Sequence, residues 1–177
     1  MRVLLVNPAF PSTFWGIEYL QEVLGRKSRF PPLGLLTVAA MLPHDWELEL
    51  LDLNIDPLDP EKLQWADMVM ISAMNVQEPS LMEVLQLCRE HGVVSILGGP
   101  FISTVKYEVP ADVIIQGEAE TSLAPFIEDV RGGLSALEKV YQAREKPDLT
   151  HTVIPRFDLL RKDGYVSQSV QFSRGCP

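Results

Sequence analysis

Cysteine and histidine are scarce in this sequence. Of its 177 residues, only Cys88 and Cys176 are cysteines. Two cysteines do not make the disulfide framework of a small secreted domain, so we expect a reducing, cytoplasmic setting. The three histidines, His44, His91 and His151, lie far apart and have no Cys, Asp or Glu partner at a recognised metal-binding spacing. We therefore expect them to be surface or structural residues.

Several other features are also missing. The sequence has no excess of positive charge, because its formal net charge is -9. This negative charge argues against sequence-independent binding to nucleic acid. No apolar run approaches the roughly 18 residues that a membrane span needs, so we expect a soluble protein. G-x-G-x-x-G, P-loop and G-x-S-x-G motifs are absent, which disfavours dinucleotide binding, P-loop nucleotide binding and a serine hydrolase. Nothing in residues 1–145 resembles a self-sufficient catalytic site.

Short apolar runs alternate with helix-like segments along the chain. Five runs predict strands, at residues 3–6, 46–53, 67–72, 93–97 and 111–115, and three segments between or after them predict helices, at 33–42, 79–91 and 119–130. Val- and Ile-rich runs of this length are typical of strands buried on both faces of a parallel sheet. The sequence thus predicts an α/β fold, a three-layer Rossmann- or flavodoxin-like parallel sheet of five strands with helices on both faces.

The pattern weakens from about Tyr141. Lys146–Asp148 and Ile154–Arg156 are typical of an extended connector, and Val166–Ser173 is a candidate for one further strand. We expect residues 1–145 to form the Rossmann domain and residues 146–177 to form a linker.

The strand ends predict a ligand site. In open parallel sheets the ligand lies beyond the carboxyl ends of the strands, which selects the loops at 7–16, 72–78, 98–104 and 116–121. Gly98-Gly99 would let a ligand approach the backbone, and Ser72 and Gly117-Glu118 place polar groups at two other strand ends. Each feature has an ordinary alternative, because a glycine pair is common in turns, Ser72 suits a helix cap and Glu118 suits the first turn of a helix.

The last residues carry a family resemblance. Ser173-Arg174-Gly175-Cys176-Pro177 resembles the start of the radical S-adenosylmethionine motif C-x-x-x-C-x-x-C, whose three thiolates hold a [4Fe–4S] cluster. The segments VNPAFP, FPPLGLLTVAAMLP, ELELLDLN, WADMVMISAMNVQ, SILGGPF, DVIIQGEAE and IPRFDLL, in this order, resemble the N-terminal region of cobalamin-dependent radical S-adenosylmethionine proteins. The resemblance covers essentially the whole chain.

The resemblance implies a corrinoid held at the carboxyl ends of the strands, against the radical S-adenosylmethionine barrel that follows in the same polypeptide. The implied cofactor-binding residues are Asn7, Pro8, Ser72, Ala73, Met74, Asn75, Gln77, Gly98, Gly99, Pro100, Gly117 and Glu118. Cys176 would be the first cluster ligand, with further cysteines expected at the fourth and seventh positions after it. The cluster and S-adenosylmethionine are then expected only in the full-length protein, with residues 146–177 leading into the barrel.

One departure from the family concerns the lower face of the cobalt. Many cobalamin-binding folds carry D-x-H-x-x-G after the first strand, whereas this chain has Asn7-Pro8-Ala9-Phe10-Pro11 there. We therefore expect cobalamin without a lower histidine ligand.

Three functions remain open on the sequence. The first is the cobalamin-binding domain of an enzyme that transfers methyl groups or catalyses a rearrangement, the domain itself being non-catalytic. The second is a docking or regulatory module that has lost its corrinoid. The third is a receiver-type signalling domain, which the sequence disfavours because Ser72 stands where such a domain needs a phosphoacceptor aspartate.

Overall fold

The computed structural model describes residues 1–12, 23–143, 145–171, 173 and 174. The strands are β1 (Arg2–Asn7), β2 (Glu47–Asp52), β3 (Met68–Ser72), β4 (Val94–Gly98), β5 (Val113–Gln116) and β6 (Val140–Gln142). The α-helices of these residues are α1 (Leu33–Met41), α2 (Pro60–Trp65), α3 (Glu78–His91), α4 (Pro100–Thr104) and α5 (Ala119–Gly132).

The strands form one parallel sheet in the order β2-β1-β3-β4-β5-β6. Its first five strands follow the flavodoxin-like order, so the predicted doubly wound fold is confirmed. The predicted number of five strands was wrong, because β6 adds a sixth strand at the β5 edge. β6 has only three residues, of which Tyr141 alone is buried, so it leaves almost no hydrophobic pattern; its pairing with β5 defines it.

The alternating side chains of β1 divide the core between two layers. Val3 and Leu5 face the layer of α1 and α5, whereas Leu4 and Val6 face the layer of α2, α3 and α4, and all four are fully buried. Burying each such side chain stabilises the fold by about 1.5–3 kcal/mol. A run that is apolar at every position thus becomes a strand covered on both faces, as the sequence predicted.

Two short helices were absent from the sequence prediction. Residues 56–60 have the composition of a turn, yet Asp59 caps α2 by accepting a hydrogen bond from the Glu61 N–H, and Pro60 occupies the first helical turn. Helix α4 is a single turn directly after the glycine pair. Both are too short to show helical periodicity in the sequence.

The segment after β6 follows the surface back toward α1 and β2. Leu160 and Tyr165 pack with Leu36 and Ile55, and Tyr165 forms an isolated parallel bridge with Ser28. Among the described residues of 166–173 there is no regular strand. The division of the chain near residue 145 stays a prediction. No described helix combines the length and the apolar character that a bilayer span requires.

Candidate functional site

A groove lies along the carboxyl ends of the strands. It consists of two cavities of about 700 Å³ and about 920 Å³. Both are lined by Gly34, Leu35, Ser72 and Pro100, so they meet where β3 ends beside the first turn of α1. Each volume is in the range of about 300–1,000 Å³ that is usual for small-molecule sites.

The first cavity enters between α1 and α5 and reaches the sheet. Its walls are mostly apolar, formed by Leu33, Leu35, Val38, Met41, Met70, Ile71, Ile96, Ile115 and Leu123. Polar groups stand around it, among them Thr37, Ser72, Glu118 and Arg174. An apolar recess with a few polar groups suits a ligand that has a hydrophobic ring at one end.

The second cavity lies where the strand order reverses, beyond β1 and β3. It is lined by Asn7, Ala73, Met74 and Gln77 from the strand ends and by residues 27–32 and Leu53-Asn54 from neighbouring loops. The side chains of Phe10, Phe30, Met74 and Val76 also line it and are about half exposed. The reversal point of a doubly wound sheet is the usual place for a ligand.

Gly99 lets the β4 end approach the β3 end closely. Its backbone has φ +88° and ψ -178°, a region that is essentially restricted to glycine. A Cβ atom there would lie 2.5 Å from the Ser72 Oγ and 3.0 Å from the Ala73 backbone nitrogen. The Phe101 N–H also donates to the Ala73 carbonyl over 2.9 Å, which ties α4 to β3. The floor of the groove therefore requires glycine at this position.

Gly117 has a comparable role at the end of β5. It has φ +86°, and a Cβ atom there would lie 2.8 Å from the Ala143 Cβ. The turn that it makes places Glu118 at the start of α5, where its carbonyl accepts hydrogen bonds from the Thr121 and Ser122 N–H groups. The loop after β5 is thus fixed by packing against the end of β6.

A buried polar network holds the loops after β1, β2 and β3 together. The Gln77 amide is 2% exposed; its nitrogen donates to the Asn7 side-chain oxygen (3.2 Å) and to the Pro8 carbonyl, and its oxygen accepts from the Met74 N–H (2.8 Å). The Asn7 nitrogen donates to Asp52 over 3.0 Å. These contacts fix the backbone at the strand reversal, where the second cavity begins.

Tyr165 extends this network to the C-terminal segment. Its hydroxyl donates to the other Asp52 carboxylate oxygen over 2.9 Å, and both side chains are buried. Burial and the adjacent Asp52 charge raise the pKa of Tyr165 well above its usual value. Tyr165 therefore stays protonated and acts as a donor at neutral pH.

The structure brings most of the predicted site residues together. Those that line the groove are Asn7, Ser72, Ala73, Met74, Gln77, Gly98, Gly99, Pro100, Gly117 and Glu118. Pro8 and Asn75 line neither cavity: the Pro8 carbonyl accepts from Gln77, and the Asn75 side-chain oxygen accepts from the Thr104 hydroxyl over 2.7 Å. Cys176 lies outside the described residues. The binding role of all these residues stays a prediction.

Sequence reasoning missed the far wall of the groove. Helix α1 contributes Gly34, Thr37 and Val38, and the C-terminal segment contributes Gln171 and Arg174. The sequence carried no sufficient signal for them, because the open space at the Cβ position of Gly34 exists only in the folded structure. The groove-lining residues of the described chain include no histidine, and no group of three or more described His, Cys, Asp or Glu residues could hold a metal ion.

Comparison with known proteins identifies related sequences. Residues 23–127 match the family of B12 binding domains. An uncharacterized methyltransferase of Synechocystis is 46% identical over 180 residues, a match that covers 100% of this chain and 33% of that protein. The hopanoid C-2 methylase of Rhodopseudomonas palustris is 27% identical over 180 residues, covering 99% of this chain and 34% of the methylase. The chain therefore spans about a third of the length of these relatives.

A solved structure has a similar fold. It is the radical S-adenosylmethionine methyltransferase TsrM of Kitasatospora setae, with tryptophan and a S-adenosylmethionine analogue bound. The TM-score is 0.52 at 18% identity, and the match covers 75% of this chain and 26% of that one. At this identity the likeness concerns the fold.

Proposed function

The chain belongs to the B12-binding domain family, and we propose that it holds a corrinoid in the groove at the carboxyl ends of its strands. The observation that supports this proposal best is the pair of joined cavities at the carboxyl ends of the strands, the first mostly apolar and the second lined also by the amide side chains of Asn7, Asn54 and Gln77. A corrinoid has matching parts, a broad ring fringed with amides and a tail that ends in a heterocyclic base.

The residues of the groove fit that ligand. Gly98 and Gly99 leave the end of β4 without side chains, so that a large ring can approach the backbone. The Ser72 hydroxyl, which lines both cavities, can exchange hydrogen bonds with the amides of the ring. The residues at the end of β1 and after it, Asn7-Pro8-Ala9-Phe10-Pro11, include no histidine, and cobalamin without a lower histidine ligand stays a prediction.

We propose further that this domain serves a radical S-adenosylmethionine methyltransferase in a longer polypeptide. Support comes from two of the similar proteins, the hopanoid C-2 methylase and the radical S-adenosylmethionine methyltransferase TsrM. A bound corrinoid would supply methyl transfer chemistry. The residues of the groove would hold the corrinoid. The catalytic barrel would lie in the rest of the polypeptide, with the iron–sulfur cluster whose first ligand would be Cys176.

The test is retention of hydroxocobalamin by the purified chain, read from its visible spectrum after desalting. Gly34 lies where the two cavities meet and has open space at its Cβ position, so Gly34→Trp would place an indole in the groove without a clash at Cβ. We expect the affinity of Gly34→Trp for hydroxocobalamin to fall about tenfold or more, because packing the corrinoid ring beside the indole costs on the order of 1–3 kcal/mol.

Gly132→Trp is the matched control. Gly132 is also open at its Cβ position, and it ends α5 away from both cavities. It should bind hydroxocobalamin as the unmodified chain does. Equal binding by Gly34→Trp would place the ligand elsewhere. Failure of the unmodified chain to retain any cobalamin would favour the alternative, a docking module without corrinoid.

A further inference from the structure

Arg174 is the last residue that the structure describes, and it joins the C-terminal segment to the start of α5. Its guanidinium donates to the Glu118 carboxylate over 2.8 Å and to the Glu120 carboxylate over 2.6 Å. The third donor, Nε, bonds the Gln171 side-chain oxygen over 3.0 Å. One side chain thus ties two acidic residues of a groove loop to the segment that precedes Cys176.

This arrangement differs from the other ion pairs of the described residues. The Arg174 and Glu120 side chains are only 20% and 17% exposed, whereas Arg131 and Glu128, which pair further along the same helix, are 59% and 71% exposed. Exposed pairs contribute about 0.2–1 kcal/mol, but partly buried bonds between charged groups contribute more. The hydrogen bond from Arg174 also lowers the pKa of Glu120, so that the carboxylate stays charged.

The ion pairs lie at the groove itself. Gly117, Glu118, Glu120 and Arg174 all line the first cavity. Glu118 directly follows Gly117, whose φ of +86° and close contact with Ala143 fix that loop. Arg174, which stands two positions before the predicted first cluster ligand Cys176, therefore contacts a wall of the predicted corrinoid site.

We propose that Arg174, Glu118 and Glu120 form a latch that sets the position of the segment entering the cluster motif relative to the groove. Arg174 is a positioning residue in this proposal, which rests on the proposed function. A ligand in the first cavity would pack against Glu118, Glu120 and Arg174, which line it, and so strengthen the latch. Because such coupling is reciprocal, an intact latch would strengthen binding of the ligand by the same factor.

Arginine labelling with phenylglyoxal tests the latch in the 177-residue chain, with mass spectrometry to read each site. Without ligand, we expect Arg174 to react more slowly than Arg131, which is the internal control. Glu118→Gln with Glu120→Gln keeps the side-chain shapes but removes both charges. We expect it to accelerate labelling at Arg174 about tenfold, since bonds to charged groups contribute on the order of 1.5–3 kcal/mol.

Glu128→Gln is the matched control variant, since it removes a carboxylate from α5 that pairs with Arg131 and not with Arg174. It should leave the labelling rate of Arg174 unchanged. Arg174→Lys keeps the charge but cannot span two carboxylates in one plane. It should therefore lose the coupling between the latch and ligand binding, which is measured with hydroxocobalamin. Equal labelling of Arg174 in the unmodified chain and in the doubly neutralised variant would overturn the latch.

Hydroxocobalamin supplies the second measurement. It should slow the labelling of Arg174 in the unmodified chain, and the doubly neutralised variant should bind it about fivefold or more weakly. If the unmodified chain retains hydroxocobalamin but neither effect occurs, the coupling is refuted. If it retains none, the proposed function fails and the coupling with it, whereas the latch is still decided by labelling without ligand.

Discussion

Replacing Gly99 with alanine tests how the floor of the groove is built. Gly99 joins β4 to α4 with φ +88° and ψ -178°, and its missing side chain leaves room for the β3 end. An added Cβ atom would meet the Ser72 Oγ at 2.5 Å, the Ala73 nitrogen at 3.0 Å and the Ala73 oxygen at 3.1 Å. The Ser72 hydroxyl can rotate away, but the Ala73 backbone, which is hydrogen-bonded to Gly98 and Phe101 just beyond β3, must shift.

Two costs add up in this variant. Holding alanine in a backbone region restricted to glycine costs on the order of 1–3 kcal/mol. Displacing the packed backbone at Ala73 costs about 1–3 kcal/mol more. We therefore expect Gly99→Ala to lower the free energy of unfolding by about 2–6 kcal/mol, a large part of the roughly 5–15 kcal/mol that stabilises a domain. A variant that still folds should bind hydroxocobalamin more weakly, because the wall at Ser72 has moved.

The assay is urea unfolding followed by circular dichroism. Gly98→Ala and Gly132→Ala are the controls: at Gly98 the nearest atom to the new Cβ would be the Ile115 oxygen at 3.4 Å, and Gly132 has nothing within 4 Å. Gly132→Ala should be neutral or slightly stabilising, and Gly98→Ala should cost much less than Gly99→Ala. A Gly99→Ala chain as stable as the original would refute the argument, since neither strain nor contact would then exist.

Two further predictions concern the buried polar network. Tyr165→Phe should lower the free energy of unfolding by about 1–3 kcal/mol at neutral pH, because Asp52 loses a buried donor. Since the folded-state pKa of Tyr165 is raised above its usual 10.0, the tyrosine's contribution is complete below pH 10 and declines as the pH rises further. The difference between the two chains should therefore narrow above pH 10 in urea titrations; a constant difference would contradict the assigned hydrogen bond. Gln77→Ala should lower the free energy of unfolding by about 2–4 kcal/mol, because it removes the hydrogen-bond partner of the Asn7 side-chain oxygen and of the Met74 N–H and opens a cavity. A free energy of unfolding close to that of the unmodified chain would show that the network is not maintained in solution.

The fold was largely predictable because its signals are local. The run at residues 3–6 is apolar at every position, which only a strand covered on both faces can bury. Gly92 ends α3 with φ +67°, as a glycine after a helical stripe predicts. The elements that were missed, β6, α2 and α4, are too short for periodicity. β6 is a strand because it pairs with the edge of β5, and this pairing leaves no pattern in the sequence.

The candidate site was only partly predictable. The glycines and Ser72 follow strands and could be assigned from position alone, because parallel strands bring their carboxyl ends to one edge. Gly34 and Arg174 could not be assigned from their position in the sequence, because each lines the groove only after α1 and the C-terminal segment have packed across it. The buried network joining Tyr165 to Asp52 likewise depends on residues 113 positions apart in the chain.

The sequence by itself determined the parallel α/β fold and the family to which the chain belongs, and it predicted a ligand site at the carboxyl edge of the sheet. Those properties follow from which residues are apolar, where glycines follow strands and how short motifs are ordered. The tertiary structure alone decided the sixth strand, the far wall of the groove and the contact of Arg174 with Glu118 and Glu120. The reason is physical: these features arise where segments that are distant in the chain meet, and a local pattern carries no record of such a partner.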